Sequence, residues 1–139
     1  MALRKAYTAG SPTIFHGMYR TEKALGGSFA IVTGDLVTGG QVALFTVPAG
    51  FVVTGMVIDT TQLDSSTGLT VSVGDAASNG RFLSASTSFR AATAGIAPIA
   101  GTRGYKFAAD TDLLMTFPAG ATTAVAGTVV VYLFGFIDA

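Results

Sequence analysis

The sequence predicts a single all-β domain, and three observations carry that prediction. Its apolar runs are short, rich in Val, Thr, Phe and Gly, and broken by turn residues at intervals of about ten, the spacing of a sandwich or barrel. Helical periodicity is missing from almost every window. At 139 residues the chain has the length of one domain, enough to bury roughly two-thirds of the surface its unfolded form exposes.

Taken in order, strands are expected at Phe29 to Thr33, Gln41 to Val47, Phe51 to Thr61, Leu69 to Gly74, Arg81 to Ser86, Gly104 to Phe107, Asp112 to Phe117 and Gly127 to Ile137. The connections support them by mechanism. Gly39-Gly40, Asp64-Ser65-Ser66-Thr67-Gly68 and Asp75-Ala76-Ala77-Ser78-Asn79-Gly80 hold residues that tolerate positive φ or form Asx turns. Ser88 to Ala94 leaves room for one short helix or 3₁₀ turn, which Gly95 and Pro98 limit. Leu44-Phe45-Thr46-Val47-Pro48-Ala49-Gly50 is echoed by Leu114-Met115-Thr116-Phe117-Pro118-Ala119-Gly120. Because Pro presets φ and Gly takes the left-handed conformation, the expectation is one turn chemistry arising twice, without duplication of a repeat unit.

Residues 1–28 are expected to form an extended arm ahead of a sandwich body at 29–139. The arm holds Arg4, Lys5, Arg20 and Lys23 against one acid, Glu22, and shows neither strand alternation nor a helical stripe. It also carries Tyr7, Ile14, Phe15, Met18 and Tyr19, more large apolar residues than a disordered tail usually has. A docking arm is therefore favoured over a frayed terminus, with Arg4, Lys5, Tyr7, Phe15, Tyr19, Arg20 and Lys23 as its contact residues.

Composition narrows the function. Half of the residues are hydrophobic and 12% are charged, about half the usual charged fraction, so an isolated monomer would be thinly coated. Eight basic and eight acidic side chains cancel, which argues against nucleic-acid binding, where clustered Lys and Arg must neutralise phosphates. With no cysteine, thiolate metal sites, disulfides and cysteine nucleophiles are excluded. Met1 to Tyr7 lacks a signal-type apolar region, and the run Val129 to Phe134 falls far short of the ~20 residues of a membrane helix. Synthesis in the cytoplasm and no membrane contact are expected.

Catalytic chemistry is not expected either. His16 is the sole histidine, set between Phe15 and Gly17 in the arm, and no GxSxG, P-loop or GxGxxG pattern occurs. Asp110 with Asp112, and Asp59, Asp64 and Asp75 beside turns, leave a loop Ca²⁺ site or a carboxylate pair conceivable. The stronger reading is that these acids cap turns through the backbone. No cofactor is expected. A carbohydrate-binding module would need exposed aromatics, yet the chain has no Trp and four Tyr, of which Tyr105 and Tyr132 better suit an interface.

The last strand is the most informative segment. Val129-Val130-Val131-Tyr132-Leu133-Phe134-Gly135-Phe136-Ile137 is apolar on both faces, where a half-buried strand should alternate. One face is expected in the core and the other against a second copy of the chain, with Val131, Leu133, Phe134 and Phe136 as interface residues. A central strand buried on both sides within one domain is the alternative.

From Leu69 onward the chain resembles the head decoration (cement) proteins of tailed phages. The resemblance rests on Val71-Ser72-Val73-Gly74-Asp75-Ala76, Arg81-Phe82-Leu83, Gly104-Tyr105-Lys106-Phe107 with Ala109-Asp110-Thr111, and Ala126-Gly127-Thr128-Val129. It covers about half the chain and consists of strand and turn patterns. It implies a β-sandwich or jelly-roll-like domain, of about eight strands here, on the capsid surface of a virion, often as a homotrimer bound to the major capsid protein. A tail, neck or fibre component looks similar at this level.

Overall fold

The computed structural model describes residues 3–5 and 22–138. They form two facing sheets built from β1 (Leu3–Lys5), β2 (Lys23–Ile31), β3 (Gly40–Val47), β4 (Phe51–Thr60), β5 (Thr70–Gly74), β6 (Leu83–Ser86), β7 (Thr111–Ala119) and β8 (Gly127–Ile137). The larger sheet has the order β1-β3-β7-β5-β6 and the smaller β2-β8-β4. All pairs are antiparallel except β1 with β3. Because β2 pairs β8 in one sheet while β3 pairs β7 in the other, the chain crosses between sheets in the jelly-roll manner. Among the described residues no helix is long and apolar enough to cross a membrane.

The expected all-β sandwich stands, with three changes of detail. The strand expected at Phe29 to Thr33 is the C-terminal part of a longer one that starts at Lys23, and Thr33 begins a 3₁₀ turn, Thr33–Asp35. Its first half, Ala24-Leu25-Gly26-Gly27-Ser28, hides the alternation because glycines fill two positions. The strand expected at Gly104 to Phe107 forms only an isolated bridge, Val52 with Lys106. This segment instead lies along the outer edge of β4: Phe107 N donates to Phe51 O (2.9 Å) and Val53 N to Tyr105 O (2.9 Å), while Thr60 and Thr93 exchange bonds further along. An irregular connection thus covers an edge that would otherwise be open to strand pairing.

The heptapeptide echo also resolves into two different causes. Gly50 closes the β3–β4 turn with φ +83, a left-handed conformation that favours glycine. Gly120 has no such φ; a Cβ there would stand 2.7 Å from Thr38 N, so that position needs glycine for close approach. Pro118 lies inside β7, so the expected shared turn chemistry does not hold.

The core sits between the sheets. Val129, Val131 and Leu133 of β8 meet Val42, Leu44, Phe45 and Val47 of β3 and Leu113, Met115 and Phe117 of β7 in one buried cluster. Phe29 and Phe45 stack across the sandwich at 5.9 Å between ring centres. Each such side chain contributes roughly 1.5–3 kcal/mol when fully buried. A bulge between Ala43 and Phe45 shifts the phase so that Leu44 and Phe45 can both be buried.

Candidate interaction surface

The strands of the smaller sheet alternate, so its two faces can be assigned residue by residue. On β8, Val129, Val131 and Leu133 are fully buried, whereas Val130, Tyr132, Phe134 and Phe136 are half-buried and point to the other side. The same phase on β2 buries Leu25, Phe29 and Ile31 and turns Ala24, Ser28 and Ala30 outward. On β4 it turns Val52, Val57 and Asp59 outward, with Val57 36% exposed. The outer face therefore carries one group charged at neutral pH, Asp59, among these positions, and Tyr132 and Phe134 stack along it at 6.3 Å between ring centres. No strand or helix among the described residues is laid over it.

The outer face of the larger sheet is of the opposite kind. Gln41 Nε2 donates to Thr116 Oγ1 (3.3 Å) and Thr46 Oγ1 to Asp112 Oδ1 (2.8 Å). Ala85 N donates to Ser72 Oγ (2.9 Å). Thr116 and Ser72 are themselves buried, so these cross-strand pairs satisfy polar groups on that face with one another.

The expected interface residues divide accordingly. Val131 and Leu133 are core residues with no exposed surface, so they cannot touch a second copy; the strict period of a strand separates them from Phe134 and Phe136, which do lie on the outer face. Tyr132, between them, completes that row. Runs of consecutive apolar residues do not show which parity faces inward, and the register with β2 and β4 decides it.

Of the expected arm, Arg4 and Lys5 lie in β1, level with Val42 and Ala43 of β3, and Lys23 opens β2 opposite Gly135. Lys23 thus belongs to the body. Tyr7, Phe15, Tyr19 and Arg20 lie outside the described residues, as does His16.

The acids singled out in the sequence are engaged by the backbone. Asp59 Oδ1 accepts from Gly95 N (2.7 Å) and Asp110 Oδ1 from Ala49 N (2.8 Å). Asp75 is bound by Arg81 Nε at 2.7 Å and by Ser78 N at 2.8 Å. Burial alone would raise its pKa, and the Arg81 guanidinium together with the amides of Ser78 and Ala77 outweighs that and holds it below the usual range. The guanidinium lies 4.4 Å from the Tyr105 ring centre, and Tyr105 meets both Phe82 and Phe107 edge-on while those two rings are tilted against each other.

Asp64 is the carboxylate that the sequence undervalues. It has no exposed surface and accepts five amides: Ser66, Gly68 and Leu69 from its own loop, and Thr122 and Thr123 from the β7–β8 connection, at 2.9 to 3.1 Å. Burial would push its pKa up; the amides of Thr123, Ser66, Leu69 and Thr122 more than reverse this and hold it far below its ordinary 3.8. The Asx pattern announces the local half of this site, while the contact 58 residues away is invisible in sequence.

Shallow depressions mark the surface of the described residues in at least two places. One of about 350 Å³ is lined by Asp59, Thr61, Ala92, Thr93, Thr128 and Val130. Another, about 370 Å³, lies by Leu3, Ala76, Asp110, Asp112 and Leu114. Among the described residues no three His, Cys, Asp or Glu side chains gather to hold a metal.

No family model and no curated protein matches the chain. Solved structures do. A chain of the capsid asymmetric unit of cyanophage Pam1 is 27% identical, with a TM-score of 0.76 over 91% of either chain. A chain of the capsid of Ralstonia phage GP4 superposes with a TM-score of 0.79 over 99% of both at 18% identity. The acidic stable capsid structure of Helicobacter pylori bacteriophage KHP30 gives 0.54 at 12% identity, over 85% of this chain and 95% of that one. The last two show the shared fold; the first supports a structural protein related to phage capsids.

Proposed function

We propose that the protein is a capsid decoration, or cement, protein that stabilises a phage head by bridging shell subunits as a homo-oligomer, a trimer being the expected form. The observation that carries this reading is the likeness, nearly end to end, to a chain of a cyanophage capsid. The molecule suits the task physically. Asp59, Asp64, Asp75 and Asp110 are spent on holding loop backbone, and among the described residues the outer face of the β2-β8-β4 sheet offers an apolar surface for association.

In this reading the body self-associates and the N-terminal segment reaches the major capsid protein. Arg4, Lys5 and Arg20 suit an acidic shell, and Tyr7, Phe15 and Tyr19 supply buried anchors of the type that dominate interfaces. Joining several such segments in one oligomer makes later contacts intramolecular, so avidity can exceed one segment's affinity by roughly 10² to 10⁴.

The test uses heads that lack the protein. Adding the purified chain should give saturable binding and raise the rupture temperature of the heads. Removing residues 2–21 takes away the edge strand β1 along with the segment after it and leaves β2 whole; an unchanged far-ultraviolet spectrum should show the body still folded while binding is abolished. Retained binding would refute the tether, and a location in tail or fibre, or absence from purified heads, would refute the decoration role.

A further inference from the structure

The outer face of the smaller sheet has a shape as well as a polarity. Along β8 stand the large side chains Val130, Tyr132 and Phe134; directly beside them on β2, in register, stand Ser28, Gly26 and Ala24. Each aromatic or branched side chain of β8 thus has the smallest available neighbour at its own level. The result is a ridge over the central strand and a trough over β2, on one face of one molecule.

Two ridges pressed together would leave both flanks empty, whereas a ridge set into a trough fills the space at close-packed density. A second copy of the chain supplies a ridge and a trough of the same length. The face also favours a copy over a foreign charged partner: Asp59 is the single side chain charged at neutral pH among the outward positions named above, and the chain's formal charge is zero, so copies do not repel. Interface cores are depleted of charge and enriched in Tyr and Phe.

We infer that copies of this chain associate about an axis running along β2 and β8, with Tyr132 and Phe134 of each copy seated over Gly26 and Ala24 of the next. Rotation about an axis parallel to the strands keeps every level of one copy opposite the same level of its neighbour, for two copies or for three. With three, ridge into trough closes as a ring. This inference rests on the homo-oligomer of the proposed function and specifies the surface that forms it.

The chain has no cysteine, so single cysteines report cleanly. Ser28→Cys and Val130→Cys proteins, unfolded and refolded together, are treated with a bis-maleimide of roughly 8 Å reach, which adds one cysteine thiolate to each of its two alkenes and is suited to packed sheets about 10 Å apart. Linked pairs should form. Ala24→Cys with Val130→Cys, displaced by four residues or about 13 Å along the strands, should link at least tenfold less. Separately, Ser28→Arg, at an exposed position, should leave the far-ultraviolet spectrum unchanged and convert the oligomer to monomers by light scattering. An oligomer that survives Ser28→Arg, or that links the displaced pair as well as the level one, overturns the inference and leaves the homo-oligomer standing. A wild-type monomer at micromolar concentration overturns both, and shell binding then judges the decoration role alone.

Discussion

Replacing Asp64 should cost more stability than replacing any other acid of the described residues. Its carboxylate is fully buried and receives five backbone N–H groups, three from the β4–β5 loop and two from the β7–β8 loop. Thr122 and Thr123 are exposed and Ser66 half-buried, so their amides can recover water when the loops loosen. Leu69 N lies in a buried bond and cannot. With about 1–3 kcal/mol for each donor left buried and smaller losses for the rest, Asp64→Ala should destabilise by about 3–5 kcal/mol, a large share of a typical 5–15 kcal/mol. Asn is no rescue. Its carbonyl can serve the partners of one oxygen, but its NH₂ would confront the amides of Gly68, Leu69 and Thr122, donor against donor. Urea denaturation at pH 7, followed by circular dichroism at one fixed protein concentration, reads both variants. Asp64→Asn within about 0.5 kcal/mol of wild type would refute the reasoning. The pH dependence follows from the lowered pKa. A carboxyl depressed in the folded state stabilises above its unfolded pKa, and that stability fades as pH falls through and below about 4. The wild type should therefore lose stability from pH 5 to 3 more steeply than Asp64→Asn.

Far-ultraviolet circular dichroism should show a β spectrum, and a helix content above about a third would contradict the fold. Leu133→Ala should cost about 2–5 kcal/mol of folding stability by emptying core volume, whereas Phe134→Ser should cost far less and act on assembly; equal unfolding midpoints for the two would contradict the assignment of faces. Arg81→Met should destabilise by about 1–3 kcal/mol, because Asp75 is left buried with its guanidinium partner removed. A double cycle with Asp75→Asn should show the coupling, and additive effects would rule it out.

Much of the fold was legible because strand period and turn chemistry are local. Gly39, Asp64 and Asp75 marked turns through backbone preferences that a few neighbouring residues decide, and the ends of β3, β4, β5 and β8 followed. The absence of cysteine and the balance of charge likewise need no structure to interpret. Three matters required the tertiary structure. Whether Val131 or Tyr132 faces the core is a matter of parity, and in a run with no polar residue parity is set only by pairing with β2 and β4. Whether residues 104–107 make a strand depended on which edge of β4 remained for them to cover. The reach of Asp64 to Thr122 and Thr123 arises because two loops distant in sequence close one end of the sandwich together. Sequence by itself determined most of the extended segments of the body, β3, β4, β5 and β8 among them, and the turns beside them, since those preferences lie within a few residues. Only the tertiary structure decided which side chains face solvent and which loops share a carboxylate, since both depend on contacts between strands that the chain order alone does not specify.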